Sequence, residues 1–86
     1  FYADWCPPCK VLAPTIEQIA DQFAGQAAIG KLDVDANPQT AAAYAIRSIP
    51  TVLVFVGGQV TDRIVGVQPP QRYVEALQKA AGDSAA

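Results

Sequence analysis

The chain has 86 residues, 51% apolar and 16% charged, with a net charge of −2, the composition of one small globular domain and not of a disordered segment. The slight acidity supplies no basic stripe for nucleic acid or anionic lipid, and no apolar run approaches the roughly 18 residues of a membrane span, so neither nucleic acid nor a membrane is expected as a partner. With 2 cysteines and no histidine, the chain has neither a multi-bridge disulfide framework nor a four-ligand zinc site of its own.

Phe1-Tyr2-Ala3 reads as the last residues of a buried strand, and Asp4-Trp5 as the turn that leaves it. Any signal or transit segment would lie ahead of Phe1. In Trp5-Cys6-Pro7-Pro8-Cys9-Lys10 two cysteines stand three apart at the mouth of a helix. Residues three apart on a helix share a face, with Cβ atoms about 5–6 Å apart, and a disulfide needs Cα atoms roughly 4.4–6.8 Å apart. The pair therefore suits a disulfide that opens and closes. A purely structural bridge would close too short a loop to stabilise the chain much, whereas Cys-x-x-Cys near a β-α-β pattern is a redox signature.

Pro8 suits the first helical position, where the missing N–H costs nothing. Leu12, Ile16, Ile19, Ala20 and Phe23 then recur at helical spacing until Gly25, which makes one face of this helix a packing face. Pro14 removes one helical hydrogen bond, and a kink is expected there. Residues 28–34 read as a strand, and Asn37-Pro38 as the N-cap and first position of a short helix to about Tyr44. Residues 51–56 (TVLVFV) are apolar almost throughout, as a strand covered on both faces should be. Gly57-Gly58 signals a hairpin into residues 59–65. After Gly66 and Pro69-Pro70, the spacing of Tyr73, Val74, Leu77 and Ala80 or Ala81 predicts a final amphipathic helix. Residues 1–81 are expected to form the domain, and 82–86 a frayed tail.

Several of these segments together resemble the thioredoxin family from Phe1 to about Ala81: the run from Phe1 to Lys10, Pro14, Lys31-Leu32-Asp33-Val34-Asp35, Ile46-Arg47-Ser48-Ile49-Pro50-Thr51, Gly58, and Val65-Gly66. The resemblance implies an α/β fold with a mixed sheet flanked by helices. It also implies a nucleophilic Cys6, a resolving Cys9, and a cis proline at Pro50 facing the disulfide. Trp5, Ile49, Pro50, Gly66 and Val67 resemble the family's substrate groove, where extended peptide pairs in a β-augmentation manner. Without the family match Trp5 could be core, Pro50 a trans turn proline, and Lys31 a solvated strand-end charge; the family counterpart of Lys31 lies near the active site.

Two departures stand out. The family usually places glycine and proline between its cysteines, and here Pro7 and Pro8 are both proline. Similar double-proline sites occur in tryparedoxins and in periplasmic cytochrome-maturation relatives, but this chain lacks the insertion those carry before the cis proline. The family's first strand, first helix and most of its central strand are absent, together with the buried acid that helps deprotonate the resolving cysteine. The chain is thus expected to be a piece of a longer thioredoxin, or a shortened form that repairs its sheet by changed strand pairing, a dimer or a domain swap.

The thiolate is the reactive form, and a helix N-terminus beside Cys6 favours the anion. Cys6 is expected to be the exposed nucleophile. Cys9, one turn further, is placed to attack the mixed disulfide without diffusing. Because Pro7 and Pro8 have no N–H, the nearest backbone donor for Cys6 is expected to be Cys9 N–H. The leading expectation is a reductant of protein disulfides with no bound cofactor beyond the redox-active Cys6–Cys9 pair. Its expected electron donor is a flavin-dependent thioredoxin reductase and its expected compartment the cytoplasm, with the periplasm left open. A binding or co-chaperone module with incidental cysteines, or a periplasmic oxidase or isomerase, are the alternatives.

Overall fold

Proline opens every helix of the computed structural model, which describes residues 1–85: α1 (Pro7–Gln22), α2 (Pro38–Ala43) and α3 (Pro70–Ala85). Its fixed φ is preorganised for the first turn, and the donor it lacks would have no helical partner there. α1 starts at Pro7, one residue earlier than expected, so Pro8 is its second residue and Cys6 its N-cap. Pro14 lies inside α1. α3 runs to Ala85, past the expected end near Ala81. Gly82 costs a helix only about 1 kcal/mol relative to alanine, and no proline follows to stop it. The expected tail therefore begins inside the helix, and its last residue, 86, lies outside the described residues.

β1 (Thr51–Val56) and β2 (Gln59–Val65) form an antiparallel pair. Gly57 and Gly58 join them with φ of 59° and 81°, the two successive left-handed residues that a tight hairpin needs to match strand twist. The register pairs Val52 with Ile64 and Val54 with Asp62, then skips Thr61 so that Phe55 meets Val60. Period-2 alternation sends Val52, Val54 and Ile64 to one face. There they meet Leu12, Ile19 and Phe23 from the α1 side and Tyr73, Ala76 and Ala80 of α3, forming the main core.

α3 packs on that face and α1 packs against α3 on the same side, so β1 is not enclosed on two sides as its apolar sequence suggested. On the other face Phe55 remains 43% exposed. Its ring meets Tyr44 edge-on at 5.5 Å, and Tyr44 in turn lies 6.2 Å from Phe1. Arg63, opposite Leu53 on this face, donates to the Tyr44 carbonyl at 2.6 Å.

The strand expected at residues 28–34 is reduced to a single parallel bridge between Tyr2 and Asp33. Tyr2 N–H donates to the Leu32 carbonyl at 3.0 Å, and Val34 N–H to the Tyr2 carbonyl at 2.9 Å. A strand extends only as far as its partner, and the partner here turns into α1 after Ala3. Phe1 also exchanges hydrogen bonds with Thr51 at the start of β1. The mixed sheet is therefore one antiparallel hairpin carrying a short parallel seam, within the α/β fold that the resemblance implies.

Arg72 of α3 grips Asp62 of β2 through two contacts of 3.1 and 3.2 Å. The Arg72 hydrogen bond holds the Asp62 carboxyl below its ordinary value of 3.8. A carboxyl depressed in the folded state contributes stability above its unfolded value, and this is lost as pH falls through the folded one. The tie between α3 and β2 should thus weaken only below about pH 3.8. Urea titrations should show a shallower acid decline for Asp62→Asn than for the parent chain; superimposable slopes would show that the pair contributes nothing measurable.

Candidate active site

Cys6 precedes α1 in extended backbone (φ −91°, ψ 106°), and Cys9 occupies the first turn. Their Cα atoms are 5.3 Å apart and their sulfurs are joined as a disulfide. Cys9 N–H donates to Cys6 Sγ at 3.2 Å. Pro7 and Pro8 have no N–H to add, so the cap that serine or aspartate usually provides is here one bond to sulfur.

Cys6 is 2% exposed and Cys9 6% exposed, which corrects the expectation of an exposed first cysteine. The pair and Ala3 form a small cluster packed by Tyr2, Val34 and Ile49. Burial does not distinguish the two sulfurs, but their places on the helix do. Cys6 Sγ sits at the N-terminus and receives the amide of the first turn, whereas Cys9 lies within it.

The Ile49–Pro50 peptide is cis. The Ile49 carbonyl oxygen lies 3.9 Å from Cys6 Sγ, and the Pro50 carbonyl accepts from Gly66 N–H at 2.8 Å. Gly66 adopts φ +82°, in the left-handed region, where any other residue would be strained. Ile49, Pro50 and Gly66 are thereby tied into one unit beside the disulfide, with Val67 following and 45% exposed. Lys31 Nζ lies over the Tyr2 ring, 5.1 Å from the centroid.

Trp5 is 67% exposed, yet its indole N–H donates to Asp35 Oδ2 at 2.7 Å. Asp33 Oδ1 accepts from the amides of Asp35 and Ala36, shaping the turn that presents Asp35. The role of Asp35 was missed in the sequence, where it read only as part of a motif. Tyr73 was read as a core residue, although a buried tyrosine hydroxyl needs a partner, and that requirement could have flagged it.

A cleft of about 920 Å³ runs behind the disulfide between α1 and the hairpin, lined by Ile16, Phe23 and Val54 and reaching Cys9 and Lys10. Pro50 borders it, but Trp5, Cys6, Ile49, Gly66 and Val67 do not. Among the described residues no group of three or more His, Cys, Asp or Glu is arranged to hold a metal ion, and no helix is long and apolar enough to cross a membrane.

A family model described as thioredoxin matches residues 1–79. Thioredoxins of Staphylococcus aureus, among them those of strains MW2 and COL, are 52% identical to this chain over 79 residues, covering 92% of it and 76% of their own length.

Proposed function

The chain belongs to the thioredoxin family and is a thiol–disulfide oxidoreductase, and from that premise we propose that Cys6 is its nucleophile, Cys9 its resolving thiol, and protein disulfides its substrates. The observation that carries this assignment is the Cys9 N–H bond to Cys6 Sγ at the N-terminus of α1, because that donor and the helix dipole favour a thiolate at Cys6.

In the reduced protein the Cys6 thiolate attacks one sulfur of a substrate disulfide. An S–S bond forms to Cys6, the substrate's S–S bond breaks, and its other sulfur leaves as a thiolate that takes a proton. Cys9, deprotonated in turn, attacks Cys6 Sγ, so the Cys6–Cys9 bond forms and the second substrate thiol is released. Two electrons pass from the dithiol to the substrate. The pair itself carries them, so no bound cofactor enters the cycle, and a flavin-dependent thioredoxin reductase returns the two electrons.

Substrate backbone is held by Ile49, Pro50, Gly66 and Val67, with Trp5 as an apolar flank kept in place by Asp35. The support is their arrangement beside Cys6 and the exposure of Trp5 and Val67. Lys31, fixed over Tyr2, contributes positive charge near the site. The single backbone donor favours the reducing direction over an oxidase: a thiolate given fewer donors is less stabilised, and strong oxidants of this chemistry have a stabilised reduced form. Reduction as the working direction fits the cytoplasm, where thiols are kept reduced.

Insulin reduction with dithiothreitol tests the proposal. Catalytic amounts of the chain should bring precipitation of the insulin B chain forward; no acceleration would leave a binding module with incidental cysteines. Self-association or a domain swap is a separate proposal, supported by the pairing of β1 beyond Thr51 with β2 alone among the described residues and by the exposure of Phe55. Light scattering that gives a monomer mass ends it.

A further inference from the structure

The loop between β2 and α3 carries Val67 without strand partners, and one buried hydroxyl holds it from both sides. Tyr73 is 2% exposed. Its Oη donates to the Gly66 carbonyl at 3.1 Å and accepts from Gln68 N–H at 3.1 Å. Gly66 N–H continues the chain of bonds to the Pro50 carbonyl at 2.8 Å. The preceding Ile49 carbonyl faces Cys6 Sγ.

We infer that the Tyr73 hydroxyl is a positioning group for substrate: it fixes Gly66 and Gln68 so that Val67 between them presents its backbone beside the disulfide. The inference rests on the groove reading above. Among the described residues, the N–H and C=O of Val67 take part in no hydrogen bond, which leaves them for an extended substrate backbone to pair with. A phenylalanine or leucine would fill the same core space, but it would leave the Gly66 carbonyl and Gln68 amide to find water. The loop would then lose its fixed conformation, and substrate would have to order it on binding. The hydroxyl acts only through the loop and touches neither sulfur.

The test uses the full chain with insulin and, separately, a small aromatic disulfide that needs no peptide groove. Tyr73→Phe keeps the ring. It should raise KM for insulin about three- to tenfold, the factor of roughly one net hydrogen bond, leave kcat and the small-disulfide rate within about twofold by the same reasoning, and speed hydrogen exchange at the Gln68 amide. Asp62→Asn loosens α3 from β2 away from the loop and controls for stability; it should not move KM. Val67→Glu tests the groove itself and should raise KM. If Val67→Glu raises KM and Tyr73→Phe does not, the tyrosine's role is overturned while the groove stands. Equal rises in Tyr73→Phe and Asp62→Asn overturn it as a loss of stability. An unchanged KM for Val67→Glu removes the groove, and the inference with it.

Discussion

Cys9→Ser, reduced and mixed with a disulfide-bonded protein, should stop as a covalent mixed disulfide through Cys6, whereas Cys6→Ser should form none. The difference comes from geometry. A thiol held one turn away acts intramolecularly, and well-oriented groups reach effective molarities of about 10⁵ M and above. External thiol at millimolar concentration cannot match that, so removing Cys9 should lengthen the life of the mixed disulfide by several orders of magnitude. Removing Cys6 takes away the first attack, and turnover with insulin should fall to the rate of dithiothreitol alone. Mass spectrometry of the trapped species decides the assignment. Adducts at Cys9 in Cys6→Ser, at the yield found for Cys6 in Cys9→Ser, would reverse the roles. In the parent chain, iodoacetamide should label reduced Cys6 faster than Cys9 because of its helix-terminal position, since both cysteines are buried alike.

The second large effect is on stability. Phe23 ends α1, is 5% exposed and packs with Leu12, Ile19, Val54 and Tyr73. Truncating a buried phenylalanine to alanine costs about 3–5 kcal/mol, against a total of roughly 4–13 kcal/mol for a chain of this length. Phe23→Ala should therefore move the urea midpoint down by more than about 1 M, or unfold the chain outright, given slopes of about 1–3 kcal/mol per M. Phe55 has the same side chain on the open face of β1, and Phe55→Ala should cost about 1–2 kcal/mol, well below Phe23→Ala, because nearly half of its area stays in water. Equal midpoints for the two variants would contradict the division of the sheet into a covered and an uncovered face.

Much of the site was legible because it depends on local chemistry. Two cysteines three apart before a proline-led helix fix both the spacing of a disulfide and the nearness of Cys9 N–H to Cys6, whatever surrounds them. The same holds for the Gly57-Gly58 hairpin and the core stripe of α1. The extent of residues 28–34 as a strand was not legible, because pairing belongs to the partner: the sequence there has strand character, but only Tyr2 stands beside it. α3 runs on to Ala85, past the expected end near Ala81, because Gly82 adds only a small penalty to a helix.

The chemistry of the dithiol, the order of the helices and hairpin, and the apolar face of each follow from residue type and short-range spacing. How deeply Cys6 is buried depends on the packed fold, because the covering groups Tyr2, Val34 and Ile49 come from three separate segments. Packing also sets which face of β1 lies open, since α3 lies on one side of the hairpin with α1 against it. And it joined Trp5 to Asp35 and Tyr73 to Gly66 and Gln68, contacts whose partners are set by how the elements pack and by no local preference of the chain.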